Sequence, residues 1–413
     1  MRVILASVGT DGDVFPYVGL GAELRSRGHQ VILAASAHYE SLARVHGFSF
    51  HALVSAEENN ELFGDPDFWN PVKTAPLMAR WGVRFIQRQY YLLSKLIVGD
   101  TTLVASPGVF AAGLVHEKHG IPLVNLILQP WMIPSSIAPP IMPGFMFLRH
   151  APRPVWRTFW RALDVVGDIL VGRSLNHVRA SLGLNPWRRI FKQWLSPQLV
   201  LGLFPEWYGQ PQADWPPQMR LTGFPMFDGG QGDDLPPQLL EFCRAGTPPV
   251  AFTFGTGMTR PAELFRGALE ACALLGVRGI FLTKYRDQLP DPLPSSILHC
   301  PFAPFQKLFP ECAAVMHHGG IGTVAKAMAA GTPQLISPLC FDQTDNGVRT
   351  RKLGVGDWLN SRPANGREIT DGLTKLMSPE TRSRCRVISG RFKNINGLEL
   401  AAQCIERIAM GRA

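Results

Sequence analysis

Residues 315–347 read VMHHGGIGTVAKAMAAGTPQLISPLCFDQTDNG. An apolar strand at 313–316 enters the stretch, and His317, His318, Gly319 and Gly320 follow. A small-residue helix over 320–330 comes next, stopped by Gly331-Thr332-Pro333. A second strand at 334–337 leads to Asp342, Gln343 and Asn346. Strand, glycine-rich turn and helix make a cradle for phosphate, because free N–H groups at the helix start point outward and the macrodipole adds positive charge there. The competing reading is structural: the glycines allow close packing, and both histidines are satisfied core residues.

Working outward, the same alternation fills the chain. Strands are expected at 3–7, 30–35, 48–53, 102–105, 123–128 and 199–204, with helices at 17–27, 39–46, 77–98 and 109–118 between them. Residues 60–74 read as a loop and 155–182 as one or two amphipathic helices. Residues 224–237, FPMFDGGQGDDLPP, cluster Gly, Pro and acids without periodicity and read as a linker. Beyond it strands are expected at 250–254, 279–283 and 297–300, and helices at 262–275, 366–377, 382–395 and 398–410. Alternation of this kind predicts parallel sheets covered on both faces, which bind ligands beyond the carboxyl ends of their strands.

Composition fits a globular protein of more than one domain: 413 residues, 46% hydrophobic and 18% charged. All seven cysteines lie between Cys243 and Cys404 without a CxxC pair, so neither a disulfide framework nor a zinc site is indicated and a reducing cytoplasm fits. The apolar run in MRVILASVGT is short for a signal peptide and reads as a buried strand. The uncharged segment after His119 carries six prolines up to Pro143, which would break a spanning helix; a buried strand and an apolar loop are expected there. Net charge is +9, and residues 141–195 alone hold eight Arg and one Lys against two Asp, interleaved with Trp156, Phe159, Trp160, Trp187, Phe191 and Trp194. Such sequence can lie peripherally on the anionic inner face of a membrane; the alternative is a solvated helix face with aromatics in the core. No nucleic-acid recognition module is visible.

The run from His317 to Thr323, with Gly331-Thr332-Pro333, Asp342-Gln343 and Asn346, resembles the nucleotide-sugar signature of family 1 glycosyltransferases with the GT-B fold. The resemblance implies an α/β chain of two Rossmann-like domains facing across a cleft: an acceptor-binding domain over 1–223, a linker over 224–237, a nucleotide-sugar-binding domain over 238–395, and a C-terminal helix over 396–413 that packs back on the first. It implies that His318, Gly320, Gly322 and Thr323 hold the donor diphosphate and that Asp342 and Gln343 bind sugar hydroxyls. Many members carry a Glu on this helix for the ribose; Lys326 stands in its place here.

Gly9 to Pro16 admits three readings. A dinucleotide fingerprint needs G-x-G-x-x-G, and Gly9 and Gly12 are spaced wrongly for it. Asp11 and Asp13 could ligate a metal, or Asp13 could merely cap the following helix. Gly12-Asp13-Val14-Phe15-Pro16 resembles the family's first-helix motif, which implies Asp13 as the general base toward an acceptor hydroxyl. Partial desolvation would raise its basicity. Gly255 and Thr256, ending the strand before them, could contact phosphates or form a plain turn. Phe302 and Ala303 resemble the base-binding loop, with Phe302 alternatively core.

The resemblance implies inverting displacement on a UDP- or dTDP-sugar (glucose or rhamnose), with no metal and no cofactor beyond the donor. Stretches such as Leu24 to His29, His116 to Pro122 and Arg278 to Thr283 are similar to the rhamnosyltransferase branch that makes rhamnolipids. They imply a hydrophobic hydroxylated acceptor, for which the Met- and Pro-rich segment 131–148 could form a pocket wall or simply a buried loop. The loop after Gln129 differs from that branch, so its substrates do not carry over. A non-catalytic auxiliary protein and a sugar-nucleotide epimerase on the same fold are the other readings.

Overall fold

A computed structural model describes the chain except residues 71–72, 143, 230–233, 256–260, 361–363 and 412–413. It divides into two compact units: Met1–Pro140 with Gly144–Gly229 and Asn396–Ala413, and Gly230–Ile395 with Ile141–Pro143.

The first unit is built on β1 (Arg2–Ala6), β2 (Gln30–Ser36), β3 (Ser49–Val54), β4 (Thr101–Ala105), β5 (Leu123–Ile127), β6 (Leu199–Gly202) and β7 (Met219–Leu221), all parallel in the order β3-β2-β1-β4-β5-β6-β7. The central strands are continuous apolar runs because helices cover both faces. Ala6 pairs with Ala34 on one side and Ala105 on the other. Phe85, Ile86 and Leu93 of the helix Thr74–Lys95 and Val115 of Ala111–His119 pack on Ile4, Ile32 and Leu103.

The helix Asp11–Ser26 begins six residues earlier than its hydrophobic pattern suggests. Thr10 serves as N-cap, and Pro16 is tolerated inside because the carbonyl it leaves without a donor belongs to exposed Gly12. The last helix, Gly397–Ala409, packs on it: a Cβ on Gly19 would lie 3.0 Å from Leu398. Glu406 joins His29 at 2.7 Å and Arg27 at 2.6 Å, and those bonds, Arg27's first, hold its carboxyl down at about 2.

The second unit repeats the plan with β8 (Val250–Thr253), β9 (Gly279–Leu282), β10 (Ile297–Cys300), β11 (Ala314–His317), β12 (Gln334–Ile336) and β13 (Gly356–Trp358), parallel in the order β10-β9-β8-β11-β12-β13. Phe252, Phe265, Phe281 and Met316 centre its core, with Phe252 and Phe281 edge-to-face at 5.4 Å.

Several expectations need correction. The loop at 60–74 is largely ordered: Ala56–Gly64 is a helix, and Pro66–Trp69 is a 3-10 turn. Ser55 and Glu58 cap that helix reciprocally, so S-x-x-E at 55–58 was its signal. The helix Pro237–Arg244 starts on the last residue assigned to the linker, with Pro at its first position. The one or two amphipathic helices expected over 155–182 are present: Arg153–Gly167, a π-helical turn Asp168–Gly172 and Arg173–Ser181 follow without a break. As expected, the segment after Gln129 is a loop: residues 130–140 fold on the first unit, where Ser135 Oγ and Ser136 N donate to Asp214 and Trp160 Nε1 donates to Ser135 O, while Ile141 groups with the second unit and its N–H donates to Asp345 Oδ1.

Candidate active site

In each unit the chain leaves the central pair of strands in opposite directions, at β1/β4 in the first and β8/β11 in the second. That switch point leaves a crevice beyond the carboxyl ends of the strands, where such sheets bind ligands. Asp13, Gly255, His318, Gly320, Gly322 and Thr323 follow those central strands, whereas Phe302 and Ala303 follow the edge strand β10 and Asp342 and Gln343 follow β12.

In the second unit, β11 ends at His317 and the helix Ile321–Ala330 begins after Gly320. Gly319 has φ +99°, and a Cβ on it would come within 2.7 Å of Ile336 Cγ2, so only glycine makes this turn. Gly320 takes the N-cap position in extended geometry without a side-chain cap. The first intrahelical bond runs from Val324 N to Gly320 O at 3.0 Å, so the amides before it have no helical acceptor. Gly322 is exposed, a Cβ there would meet nothing within 4 Å, and Thr323 beside it is half-buried. The sequence therefore builds an open anion cradle at the helix start.

The two histidines part company. His317 is fully buried; its Nδ1 accepts from Gly319 N at 3.0 Å and its Nε2 donates to Gln334 Oε1 at 3.0 Å. Burial first, then His318 beside it, pushes its pKa down to about 3, so it is a neutral structural residue that holds the turn. Among the described residues His318 has no such partners. Its Nδ1 is sealed from solvent and unbonded. Its ring lies against two glycines: a Cβ on Gly255 would meet ring atoms at 3.1–3.3 Å, and one on Gly320 would sit 2.6 Å from Nε2. Burial lowers the His318 pKa to about 4. At neutral pH it is an uncharged imidazole with an unmet hydrogen bond, beside the cradle.

Gly255 follows β8 with φ +83°; Thr256 lies outside the described residues. Asp342 is buried at the start of the helix Gln343–Leu353, where Asn346 Nδ2 donates to its Oδ2 at 2.6 Å and to Gly319 O at 2.9 Å. Asn346 thus ties the carboxylate to the glycine turn. Gln343 Oε1 accepts from Leu339 N and Cys340 N, so its carbonyl end shapes the loop after β12. Beyond β10, Ala303 is buried, whereas the Phe302 ring is 38% exposed, which removes the core reading for it. Lys326 Nζ lies 5.8 Å from the Phe305 ring.

In the first unit, Asp13 lies in the first turn of the helix after β1, half-buried. Thr10 N (2.8 Å) and Thr10 Oγ1 (3.0 Å) both donate to Oδ2, leaving Oδ1 without a partner among the described residues. The carboxylate therefore caps the helix with one oxygen and offers the other. Gly9, at φ +138°, makes room: a Cβ there would lie 2.3 Å from Oδ2. Desolvation raises the Asp13 pKa, the two Thr10 bonds lower it, and nearby Asp11 raises it again, with a net upward shift. Asp11 itself accepts from Tyr39 OH at 3.0 Å. Sequence reasoning missed Tyr17, one helical turn beyond Asp13. Its hydroxyl is buried, and burial and then the Asp13 charge push its pKa up. Ser106, at the carboxyl end of β4, acts on the same hydroxyl. Only the β1–β4 pairing brings it there, so no local signal could have found it.

Residues 3–136 match the glycosyltransferase family 28 N-terminal domain, and 280–391 match the C-terminal domain of erythromycin biosynthesis protein CIII-like proteins. The chain is 30% identical over 408 residues to glycosyltransferase GtfE of Amycolatopsis orientalis, covering 94% of this chain and 93% of that one. This chain is a family 1 glycosyltransferase of GT-B fold. A sterol 3-beta-glucosyltransferase of Debaryomyces hansenii is 26% identical over 97% of the glycosyltransferase described here, which spans 26% of the yeast protein. Among solved structures, spinosyn rhamnosyltransferase SpnG superimposes with a TM-score of 0.70 complexed with thymidine diphosphate and 0.71 complexed with spinosyn aglycone. Both are 19% identical and cover 98% of this chain and 100% of SpnG.

The glycosyltransferase thus carries an anion cradle with an unsatisfied neutral histidine in one unit and a carboxylate of raised basicity in the other. Asp11 and Asp13 are not joined by a third ligand: among the described residues no three His, Cys, Asp or Glu side chains gather as a metal site. No described helix is long and apolar enough to cross a membrane.

Proposed function

We propose that this glycosyltransferase moves a hexose from a UDP- or dTDP-sugar, glucose or rhamnose, to the hydroxyl of an apolar small molecule or lipid, with inversion and without a metal. The first unit supplies the acceptor side and the base, and the second holds the donor. The observation that carries the donor assignment is the uncapped helix start after Gly320, with the neutral His318 imidazole beside it. A diphosphate oxygen meets the free amides between Gly320 and Thr323, with His318 Nε2 and Thr323 Oγ as further donors. Phe302, exposed beyond β10, offers a ring for the base. Asp342 and Gln343 turn toward the sugar hydroxyls.

In the reaction, Asp13 Oδ1 takes the acceptor proton, and the oxygen attacks the anomeric carbon from the face opposite the leaving diphosphate. The C–O bond to the diphosphate breaks as the new glycosidic bond forms. Charge growing on the diphosphate is met by donors already in place, which is worth more than donors that must reorganise. Apolar acceptors are supported by the sterol enzyme and by the aglycone complex of SpnG, and the thymidine nucleotide by its other complex.

The test is a pair of variants. Asp13→Asn leaves UDP or dTDP affinity within about twofold and lowers kcat by 10²–10⁴, the usual size of a general-base contribution. His318→Ala weakens nucleotide binding as well. Full turnover in D13N removes the base assignment, and undiminished nucleotide affinity in H318A removes the donor assignment.

A further inference from the structure

The continuous helical stretch 153–173 has two apolar faces. The inner one carries buried Trp156 and Val171. The outer one is a stripe of Val155, Ala162, Val165, Val166, Ile169 and Leu170, at the spacing of a single helix face. Ile169 is 71% exposed and Val165 58%. The stripe runs about 22 Å along the axis at 1.5 Å per residue. Just before it, Phe147 is 76% exposed and stacks toward the helix through Phe145, whose ring lies 6.2 Å from Phe147 and 5.1 Å from Phe159. A run of exposed aliphatic and aromatic side chains of this length is a contact surface rather than ordinary surface scatter.

Its charge is one-sided. Arg153, Arg157, Arg161 and Arg173 are exposed and have no carboxylate partner among the described residues. The two acids of the segment are turned inward. Asp164 is buried, with its pKa raised by desolvation, and Asp168 accepts from Arg189 N and Ile190 N at 2.9 Å. Arg161 and Arg157, on one edge of the stripe at about 100° per residue, and Arg173 beyond its end can extend along it and place guanidinium groups at a charged boundary. A protein partner would need its own apolar groove to match a convex helix. An anionic bilayer needs only depth and negative charge.

We propose that the outer face of helix 153–173 is a peripheral docking surface for anionic lipid. Ile169, Val165 and Phe147 enter the acyl boundary, and the arginines meet the headgroup phosphates. The proposal does not depend on which sugar or acceptor the enzyme uses.

Co-sedimentation of the full chain with vesicles of phosphatidylcholine, alone or mixed with phosphatidylglycerol, tests it. Binding appears on the mixed vesicles at low salt and is released as salt screens the charges. Each arginine near the surface contributes on the order of a fivefold gain in partitioning, so R157Q/R161Q/R173Q lowers binding on the order of a hundredfold. V165D/I169D abolishes it at every salt concentration. Circular dichroism and thermal melting establish that both variants fold. No binding to the mixed vesicles, equal binding to neutral ones, or retained binding by either folded variant overturns the proposal. So does a dimer in light scattering that V165D/I169D dissolves, which would assign the face to a second copy of the chain.

Discussion

Gly320→Ala isolates the role of His318 without touching its chemistry. Gly320 has φ −60° and ψ 139°, which alanine adopts without strain. The new methyl would sit 2.6 Å from His318 Nε2 and 3.3 Å from Cε1, so the ring must withdraw by roughly 1 Å to reach ordinary contact distance. On the Gly255 side only an added Cβ would reach the ring, at 3.1–3.3 Å, so the glycine there leaves the ring room to withdraw. A bond from a neutral donor to a charged oxygen is worth about 1.5–3 kcal/mol, so losing it weakens nucleotide binding roughly 10- to 150-fold. Replacing a glycine N-cap by alanine costs about 1 kcal/mol or less of stability. Calorimetric titration of UDP and dTDP into wild type, G320A, H318A and the double variant reads the effect. Because the methyl acts through the imidazole, the double variant binds no worse than H318A alone. Unchanged affinity in folded G320A, or losses that simply add in the double variant, would refute the reasoning.

Gly9→Ala puts a Cβ 2.3 Å from Asp13 Oδ2 at a backbone angle that disfavours alanine; turnover falls by orders of magnitude while nucleotide affinity, set in the other unit, is retained in calorimetry. Thr10→Val removes the hydroxyl that holds the Asp13 carboxylate charged. The base works only above its pKa, and losing a bond to the charged form raises that pKa, so the acid limb of the kcat/KM profile moves to higher pH. His317 is protonated near pH 6.5 in the unfolded chain and only at about 3 in the native one. Between those values the unfolded state alone binds the proton. The His317 contribution is therefore full above about pH 6.5 and falls by on the order of 1.4 kcal/mol per pH unit as pH drops toward 3, with His318 adding a like slope down to about 4. Denaturant midpoints across that range check it, and a flat profile would contradict the buried neutral state.

Both sheets were legible because each central strand is an apolar run followed by a glycine turn and a helix, as in Val3 to Ala6 and Ala314 to His317. The short edge strands β7 and β13 were not, since three residues carry no period to read. The helix Gln343–Leu353 escaped notice because its inward face is polar: Gln343, Thr344, Asp345 and Asn346 are all buried there. Hydrophobic periodicity cannot report a helix whose buried groups are hydrogen-bonded side chains. The histidine pair shows the same boundary between local and tertiary information. From the residue pattern alone His317 and His318 read alike, and only the family resemblance singled out His318. Gln334, brought alongside by the parallel pairing of β11 with β12, satisfies one and leaves the other open. The carboxylate at position 13 was legible from its motif, but its single free oxygen depends on where Thr10 points.

The most direct measurement is the anomeric configuration of the product. Purified enzyme is incubated with dTDP-rhamnose or UDP-glucose and a panel of apolar alcohols, and the new linkage is read from the one-bond carbon–proton NMR coupling at its anomeric centre. A glycoside of inverted configuration, formed by wild type and lost in D13N, is the predicted result. A retained configuration, or nucleotide release without any glycoside, would contradict direct displacement assisted by Asp13.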